Sequence, residues 1–315
     1  YDEVHVLGKR TCSRIIAKEV VMNAYGRILA LVVIAVLIAC AGCKHKQFAP
    51  PAGAALEDVF SIPNPSSDTE MICRIMPAYL DELDALMKKN KYDVQLVARA
   101  SGAHFGYAFC CLEDTDPAQA SEIYLRGRDL SLAELRRYSF FDQSFDDSLA
   151  RFKKALLYNF DKRNIQHLYW TAMNWFGWVT LNMSDPNAKG DLQKVAAMLE
   201  YVVKLDRTYG GGTVYAVLGS IHAILDDTEG GDADLAKQEF ENAELYSGNS
   251  LLAVQVLKAR WLSVRLNDRT SFENTLKAVL NTPLDQFPDR TFVNLVARQR
   301  AALLLEKAER LFPKG

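Results

Sequence analysis

The sequence predicts an all-α protein built from stacked helical hairpins. After residue 70, apolar residues recur every three or four positions in nearly every segment, and no clear β-hairpin signal appears. Proline- and glycine-marked breaks divide this region into pairs of helices joined by short loops. One of these pairs carries the spacing of a known helical repeat, which is described below. We therefore expect a helical domain over residues 69–315.

Composition excludes several classes of protein. The chain has 315 residues, of which 49% are hydrophobic and 24% are charged, which is enough apolar material for a sizeable core. The formal net charge is −2, so no excess of basic groups is available to neutralise a phosphate backbone. The composition thus argues against disorder, and nucleic acid is not an expected partner.

The N-terminal region resembles an export signal. Residues 1–21 precede a plausible initiator, Met22, and are interpreted as an upstream extension. Residues 22–42 contain an arginine, an apolar run over 28–39 and small residues before a cysteine, as a secretory signal does. The run is shorter than the roughly 20 residues of a membrane-spanning helix. A cleaved signal is therefore predicted.

The end of this signal has the form of a bacterial lipobox. Leu37-Ile38-Ala39-Cys40 fits it at every position, so Cys40 is the predicted site of lipidation. Cys43 is the alternative, and an uncleaved anchor helix is a third interpretation. All three attach the rest of the chain to a membrane surface. The residue that follows either cysteine does not distinguish the inner from the outer membrane.

Residues 43–68 are predicted to form a tether. This stretch is rich in small residues and holds four of the ten prolines of the chain: Pro50, Pro51, Pro63 and Pro65. Proline-rich segments are extended and semi-rigid. The segment is expected to space the helical domain from the membrane.

Helix boundaries are marked by acids before proline and by glycine clusters. Asp116-Pro117 and Asp185-Pro186 each place an N-cap acid before a proline that suits the first helical turn. Thr213, Asp232 and Ser250 are further candidate N-caps. Helix ends are expected at the glycines of 210–212 and 230–231.

A tetratricopeptide (TPR) pattern spans residues 213–245. This pattern alternates bulky residues with small ones that let two helices approach closely. Its positions are filled by Tyr215, Leu218, Gly219 and His222 on the first helix and by Ala236, Phe240 and Ala243 on the second. The turn between the helices is about five residues longer than the pattern allows. A packed histidine at position 222 is favoured over a ligand.

Weaker copies flank this pair. Similar spacings occur at residues 104–127, 175–202 and 261–279. The copies are degenerate and their loops are long, which favours a closed, irregular solenoid over a regular peptide-binding superhelix. Residues 290–312 are predicted as the capping helix, with its basic residues exposed to solvent: Arg298, Arg300, Lys307 and Arg310.

The cysteines of the helical domain are expected to be free. Cys73, Cys110 and Cys111 lack metal-ligand spacing. A bond between the adjacent Cys110 and Cys111 would strain the backbone. Buried thiols are favoured over a disulfide.

No catalytic motif is found. The four histidines after residue 42 are dispersed, and none has the HExxH spacing that brings two metal ligands to one helix face. The sequence therefore predicts neither an enzyme nor a metal or other cofactor.

The repeat region resembles a known family. At Tyr209-Gly210-Gly211-Gly212, at Gly230-Gly231-Asp232 with the repeat residues that follow, and over residues 251–280, the chain is similar to TatT proteins. TatT is the T component of TPR-protein-associated TRAP transporters. The similarity is specific over residues 165–282 and weaker over 70–165.

This resemblance implies a periplasmic lipoprotein that forms a homotrimer. It also implies association with the substrate-binding P component of a TRAP transporter, an importer coupled to sodium or protons. Each subunit would carry a cleft or hole for a small hydrophobic ligand.

Two groups of residues are candidates for the lining of such a passage. The first is a stripe of small residues at spacing four on one helix: Ala98, Gly102, Gly106 and Cys110. The second is an aromatic cluster that includes Tyr169, Trp170, Trp175 and Trp178. Each group has a structural alternative, since the stripe could seat a neighbouring helix and the aromatic residues could fill the core.

The sequence thus favours a membrane-tethered periplasmic adaptor that binds a P component and assists solute import. The alternative is a lipoprotein scaffold for outer-membrane or cell-envelope assembly. The two differ in the partner that they predict.

Overall fold

The structure is a computed structural model that describes residues 69–313. These residues form helices and connecting turns, with no β-strand among them, which confirms the predicted all-α fold. They belong to one compact unit. The predicted upstream extension, the signal with Cys40 and Cys43, and the tether lie outside the described residues.

The helices follow one another with short connections. In chain order they are α1 (Thr69–Lys89), α2 (Val94–Tyr107), α3 (Pro117–Arg136), α4 (Ser139–Ser144), α5 (Leu149–Asn159), α6 (Ile165–Leu181), α7 (Pro186–Gly190), α8 (Leu192–Leu205), α9 (Thr213–Ile224), α10 (Ala233–Ser247), α11 (Leu252–Leu257), α12 (Arg269–Asn281), α13 (Thr291–Glu306) and α14 (Ala308–Leu311). A π-helical turn extends α2 over Ala108–Leu112, and another extends α11 over Lys258–Ser263.

Three of the predicted N-caps are confirmed. Asp116 accepts a hydrogen bond from the Gln119 N–H at 3.0 Å, and Asp185 and Asp232 cap α7 and α10 in the same way. Each carboxylate satisfies a backbone donor that has no partner within its helix.

The other two predicted N-caps are wrong. Gly212, with φ of +96°, precedes α9, and Thr213 is the first residue of that helix. The Thr213 hydroxyl instead donates back to the Gly210 carbonyl at 2.7 Å. Leu251 precedes α11, and the Ser250 hydroxyl donates to the Ser247 carbonyl at 2.6 Å. In both cases the short hydroxyl side chain bonds backward to the loop and not forward to the helix.

The best-matching repeat forms a close pair, α9 against α10. Ala236, Phe240 and Ala243 are fully buried. A Cβ atom on Gly219 would lie 2.9 Å from the Phe240 ring, so the glycine allows this ring to pack against α9. The predicted core position of His222 is also buried, with 9% of its surface exposed.

In the N-terminal part of the domain, two long helices, α3 and α6, lie against each other. α2 contacts both, and α8 contacts α6. Helix α13 contacts α1, and Phe292 and Val296 on α13 belong to the hydrophobic cluster of the N-terminal helices. Helix α13 therefore packs beside the first part of the domain. Closure of the solenoid stays a prediction.

The expectation that Arg300 lies on a solvated face is wrong. Only 8% of this residue is exposed. Its Nη2 lies 2.7 Å from Glu113 Oε2, and its Nε donates to Asp114 Oδ2 at 2.9 Å. Because α13 packs against the turn that follows α2, the guanidinium meets two acids that are distant in sequence.

The expectation of three free thiols is wrong for two of them. Cys73 on α1 forms a disulfide with Cys111, and their Cα atoms are 5.4 Å apart. α1 packs along α2 and the π-helical turn, which brings these two side chains together. Cys110 is free and half-buried.

Within residues 69–313, no helix combines the length and apolarity needed to cross a membrane.

Candidate ligand cleft

The helices enclose a cleft, which has walls from α2, α3, α6, α9, α11 and α13. The volume of the cleft is about 150 Å³. Since a site for one water molecule needs roughly 10–15 Å³ of such volume, the cleft is large enough for a small organic molecule.

Helix α6 supplies the longest apolar wall. Trp170, Met173 and Phe176 line the cleft, and each is almost fully buried. Phe105 from α2 packs beside them, with its ring centre 5.9 Å from that of Trp170. Aromatic walls of this kind suit an apolar ligand.

The two π-helical turns also face the cleft. Phe109 and Cys110 lie on the turn after α2, and Arg260 and Trp261 lie on the turn after α11. A π-turn inserts one extra residue into a helix and so rotates the residues after it relative to those before it. The hydrophobic periodicity of the sequence gave no sign of either turn.

The small-residue stripe is divided between the cleft and the core. Gly106 and Cys110 line the cleft, whereas Ala98 and Gly102 are buried away from it. A Cβ atom on Gly102 would lie 2.8 Å from the Trp170 ring. Gly102 therefore makes room for a tryptophan whose side chain forms part of the wall.

The aromatic cluster is divided in a similar way. Tyr169 and Trp170 line the cleft, and Trp175 and Trp178 are not among its lining residues. Trp175 donates its indole N–H to Asp191 at 2.9 Å and stacks on Phe145 at 5.3 Å between ring centres. These contacts give Trp175 a place in the packing of the core.

The glycine loop before α9 contributes backbone to the cleft. Gly210 and Gly211 line it, both with positive φ. The Tyr169 hydroxyl shares a hydrogen bond of 2.8 Å with Thr213. Burial raises the pKa of Tyr169 to about 12, although the bond to Thr213 opposes the shift. This phenol is therefore neutral at physiological pH.

The thiol in the cleft is also neutral. Burial raises the pKa of Cys110 to about 12, while Arg300 lowers it and Glu113 raises it further. A thiol with such a pKa is a poor nucleophile.

Among residues 69–313, no group of three or more acidic, histidine or cysteine side chains is arranged to hold a metal.

Sequence reasoning missed the charged groups of the cleft. The charged residues that line it are Glu113, Arg260, Asp289, Arg290 and Arg300. The Tyr124 hydroxyl donates to Glu113. These residues lie on different helices and share no motif, so only their packing reveals the group.

The fold and the cleft define a class of protein: an all-helical domain of TPR-like hairpins with an aromatic-lined cleft. Comparison with known families is more specific. The TRAP transporter T-component family (TAtT) matches residues 65–312. The chain belongs to this family, as the sequence resemblance indicated, and this membership links it to TRAP transport.

A related protein is known from Treponema pallidum (strain Nichols), where it is described as uncharacterized. The two chains are 22% identical over 304 residues, which cover 87% of this chain and 94% of the relative. The similarity extends over nearly the whole of both chains.

Proposed function

We propose that the protein is a periplasmic, lipid-anchored TPR-like component of a TRAP transporter. It binds the substrate-binding P component and assists solute import, holding a small hydrophobic ligand in the cleft. The lipobox at Cys40 supports attachment to the membrane.

The observation that carries this proposal is the cleft in a member of the T-component family. Its wall is built mainly from aromatic and aliphatic side chains of six helices. Burial of the apolar surface of a ligand against such a wall contributes about 25 cal/mol of binding free energy per Å². An adaptor that passes ligand to a binding protein needs a site of this kind.

Sedimentation velocity tests the partner. The experiment uses a chain from Lys44 to Gly315, which retains the whole compact unit. We expect a trimer that takes up the P component of a TRAP transporter from the same source at concentrations of tens of micromolar. At those concentrations an interaction of about −7 kcal/mol is detectable.

A substrate-binding protein from an unrelated importer is the matched control and should not associate. If the P component also fails to associate, the transport proposal is overturned. In that case an envelope-assembly partner becomes the better hypothesis.

A further inference from the structure

The cleft contains a cation without an acidic partner. Arg260 lines the cleft on the π-helical turn after α11. Its guanidinium carbon lies 4.5 Å from the centre of the Trp261 ring. Among the described residues, that stacking contact is the side-chain interaction found for this arginine, and none of them forms a hydrogen bond or ion pair with it.

The two acids whose charges act on Arg260 already have partners. Glu113 Oε1 accepts a hydrogen bond from Tyr124, and Glu113 Oε2 pairs with Arg300 at 2.7 Å. Asp114 pairs with Arg300 at 2.9 Å. Both acids therefore direct their ion pairs to Arg300, and the N–H donors of Arg260 remain available.

The surroundings of Arg260 oppose its positive charge. Burial lowers the pKa of Arg260, Glu113 raises it and Arg300 lowers it. Arginine nevertheless stays protonated in proteins. Arg260 is half-buried and lines the cleft, so an anion that enters the cleft would supply acceptors for its N–H groups.

Much of the lining of the cleft is apolar. It includes Trp170, Met173 and Phe176 on α6 and Phe292 and Val293 on α13. A ligand that satisfies both features has a hydrocarbon body and an anionic end. One unpaired guanidinium matches one negative charge, which favours a carboxylate over a phosphate monoester with a charge of about −1.5 to −2.

We infer that the cleft binds an amphipathic carboxylate, with the carboxylate on Arg260 and the hydrocarbon body against the aromatic wall. This inference rests on the proposed function, since it names the class of ligand for the same cleft. A guanidinium can donate two parallel hydrogen bonds to a carboxylate, and the stack on Trp261 holds its plane in position.

Isothermal titration calorimetry with two matched probes tests the inference. The probes are dodecanoate and dodecan-1-ol, each kept below the concentration at which it aggregates, with the Lys44–Gly315 chain. We expect dodecanoate to bind at least about tenfold more tightly, as the loss of a charged hydrogen-bond partner predicts. Arg260→Gln should remove that preference while leaving the binding of the alcohol unchanged.

Two further variants control for structure and charge. Arg260→Lys keeps a cation in the cleft and should retain part of the preference. Arg310→Gln removes an exposed cation that is not among the cleft residues, and it should behave as the wild type. Circular dichroism shows whether each variant is folded, and if Arg260→Gln is not, Arg260→Lys with both probes still decides.

Equal binding of the two probes, no binding of dodecanoate, or an unchanged preference in Arg260→Gln would overturn the inference. The sedimentation experiment distinguishes this result from failure of the proposed function. Association with the P component without a preference for dodecanoate removes only the ligand class. A preference for dodecanoate without association with the P component supports the ligand class and overturns the proposed role in transport.

Discussion

Arg300 on α13 and Glu113 after α2 form a buried ion pair, with Nη2 and Oε2 2.7 Å apart and 9% of each side chain exposed. The guanidinium carbon of Arg300 also lies 4.0 Å from the centre of the Phe109 ring. Burial alone would lower the pKa of Arg300, but the two neighbouring carboxylates, Glu113 and Asp114, hold it above the ordinary value. This pair connects α13 to the wall of the cleft.

Removal of one partner of this pair should destabilise the protein strongly. Arg300→Met leaves Glu113 and Asp114 without their cation, at a cost of about 3–5 kcal/mol. Urea unfolding monitored by circular dichroism measures the change. The double variant with Glu113→Gln should recover part of the loss, whereas equal stability of wild type and Arg300→Met would contradict the assignment.

The disulfide predicts a dependence on redox conditions. Cys73–Cys111 closes a loop with a sequence separation of 38, and bonds of this kind contribute about 2–4 kcal/mol. Reduction, or Cys73→Ser, should lower the melting temperature. In Cys110→Ser the response to reductant should persist, because the bond is still present.

A thiol titration provides an independent check. The denatured Lys44–Gly315 chain contains Cys73, Cys110 and Cys111. We expect one reactive thiol before reduction and three after it. Three before reduction would show that the bond does not form.

Glycine at position 102 should be needed for packing. In Gly102→Ala the new Cβ would lie 2.8 Å from the ring of Trp170, a buried side chain that has little room to move. Overpacking costs about 1–3 kcal/mol, which lowers the melting temperature by several degrees. Gly190→Ala, where the Cβ meets nothing within 4 Å, is the control and should leave it unchanged.

Stability should fall in mild acid because of buried histidines. Burial lowers the pKa of His167 from 6.5 to about 4, with Glu134 opposing the shift. Burial also lowers the pKa of His104, with its bond to Ala100 opposing. Between pH 6.5 and 4 the unfolded chain therefore binds more protons than the folded one, so the free energy of unfolding decreases as the pH falls.

For His167 the full loss is on the order of 3 kcal/mol. Urea unfolding at pH 7.0, 5.5 and 4.5 measures the slope. His167→Gln removes this titration, so its stability should depend less on pH than that of the wild type. The same slope in both proteins would show that His167 does not titrate in this range.

The lipidation site can be tested by metabolic labelling with a fatty acid analogue. We expect Cys40→Ala to abolish labelling and Cys43→Ala to retain it, because Cys40 follows the better lipobox. The reverse result would make Cys43 the anchor. Labelling of both single variants would point to modification elsewhere.

Local features of the sequence predicted much of the fold. The caps at Asp116 and Asp232 and the buried spacing of Ala236 and Phe240 are decided by neighbours within one helix or one hairpin. Of the candidate lining residues, the sequence named Gly106, Cys110, Tyr169 and Trp170, which lie at the cleft. The sequence alone did not distinguish these residues from Ala98, Gly102, Trp175 and Trp178, because small and aromatic residues occur both in cleft walls and in helix packing.

What the sequence determined by itself is the helical class, the repeat pattern and the family, since these depend on spacing along the chain. What only the tertiary structure decided is the set of long-range contacts: the Cys73–Cys111 bond, the burial of Arg300 beside Glu113, and the place of the Arg260 guanidinium in an aromatic-lined cleft. The physical reason is that a charge or a thiol acquires its partner from the packing of distant helices, and periodicity within one helix carries no information about which helix will lie opposite.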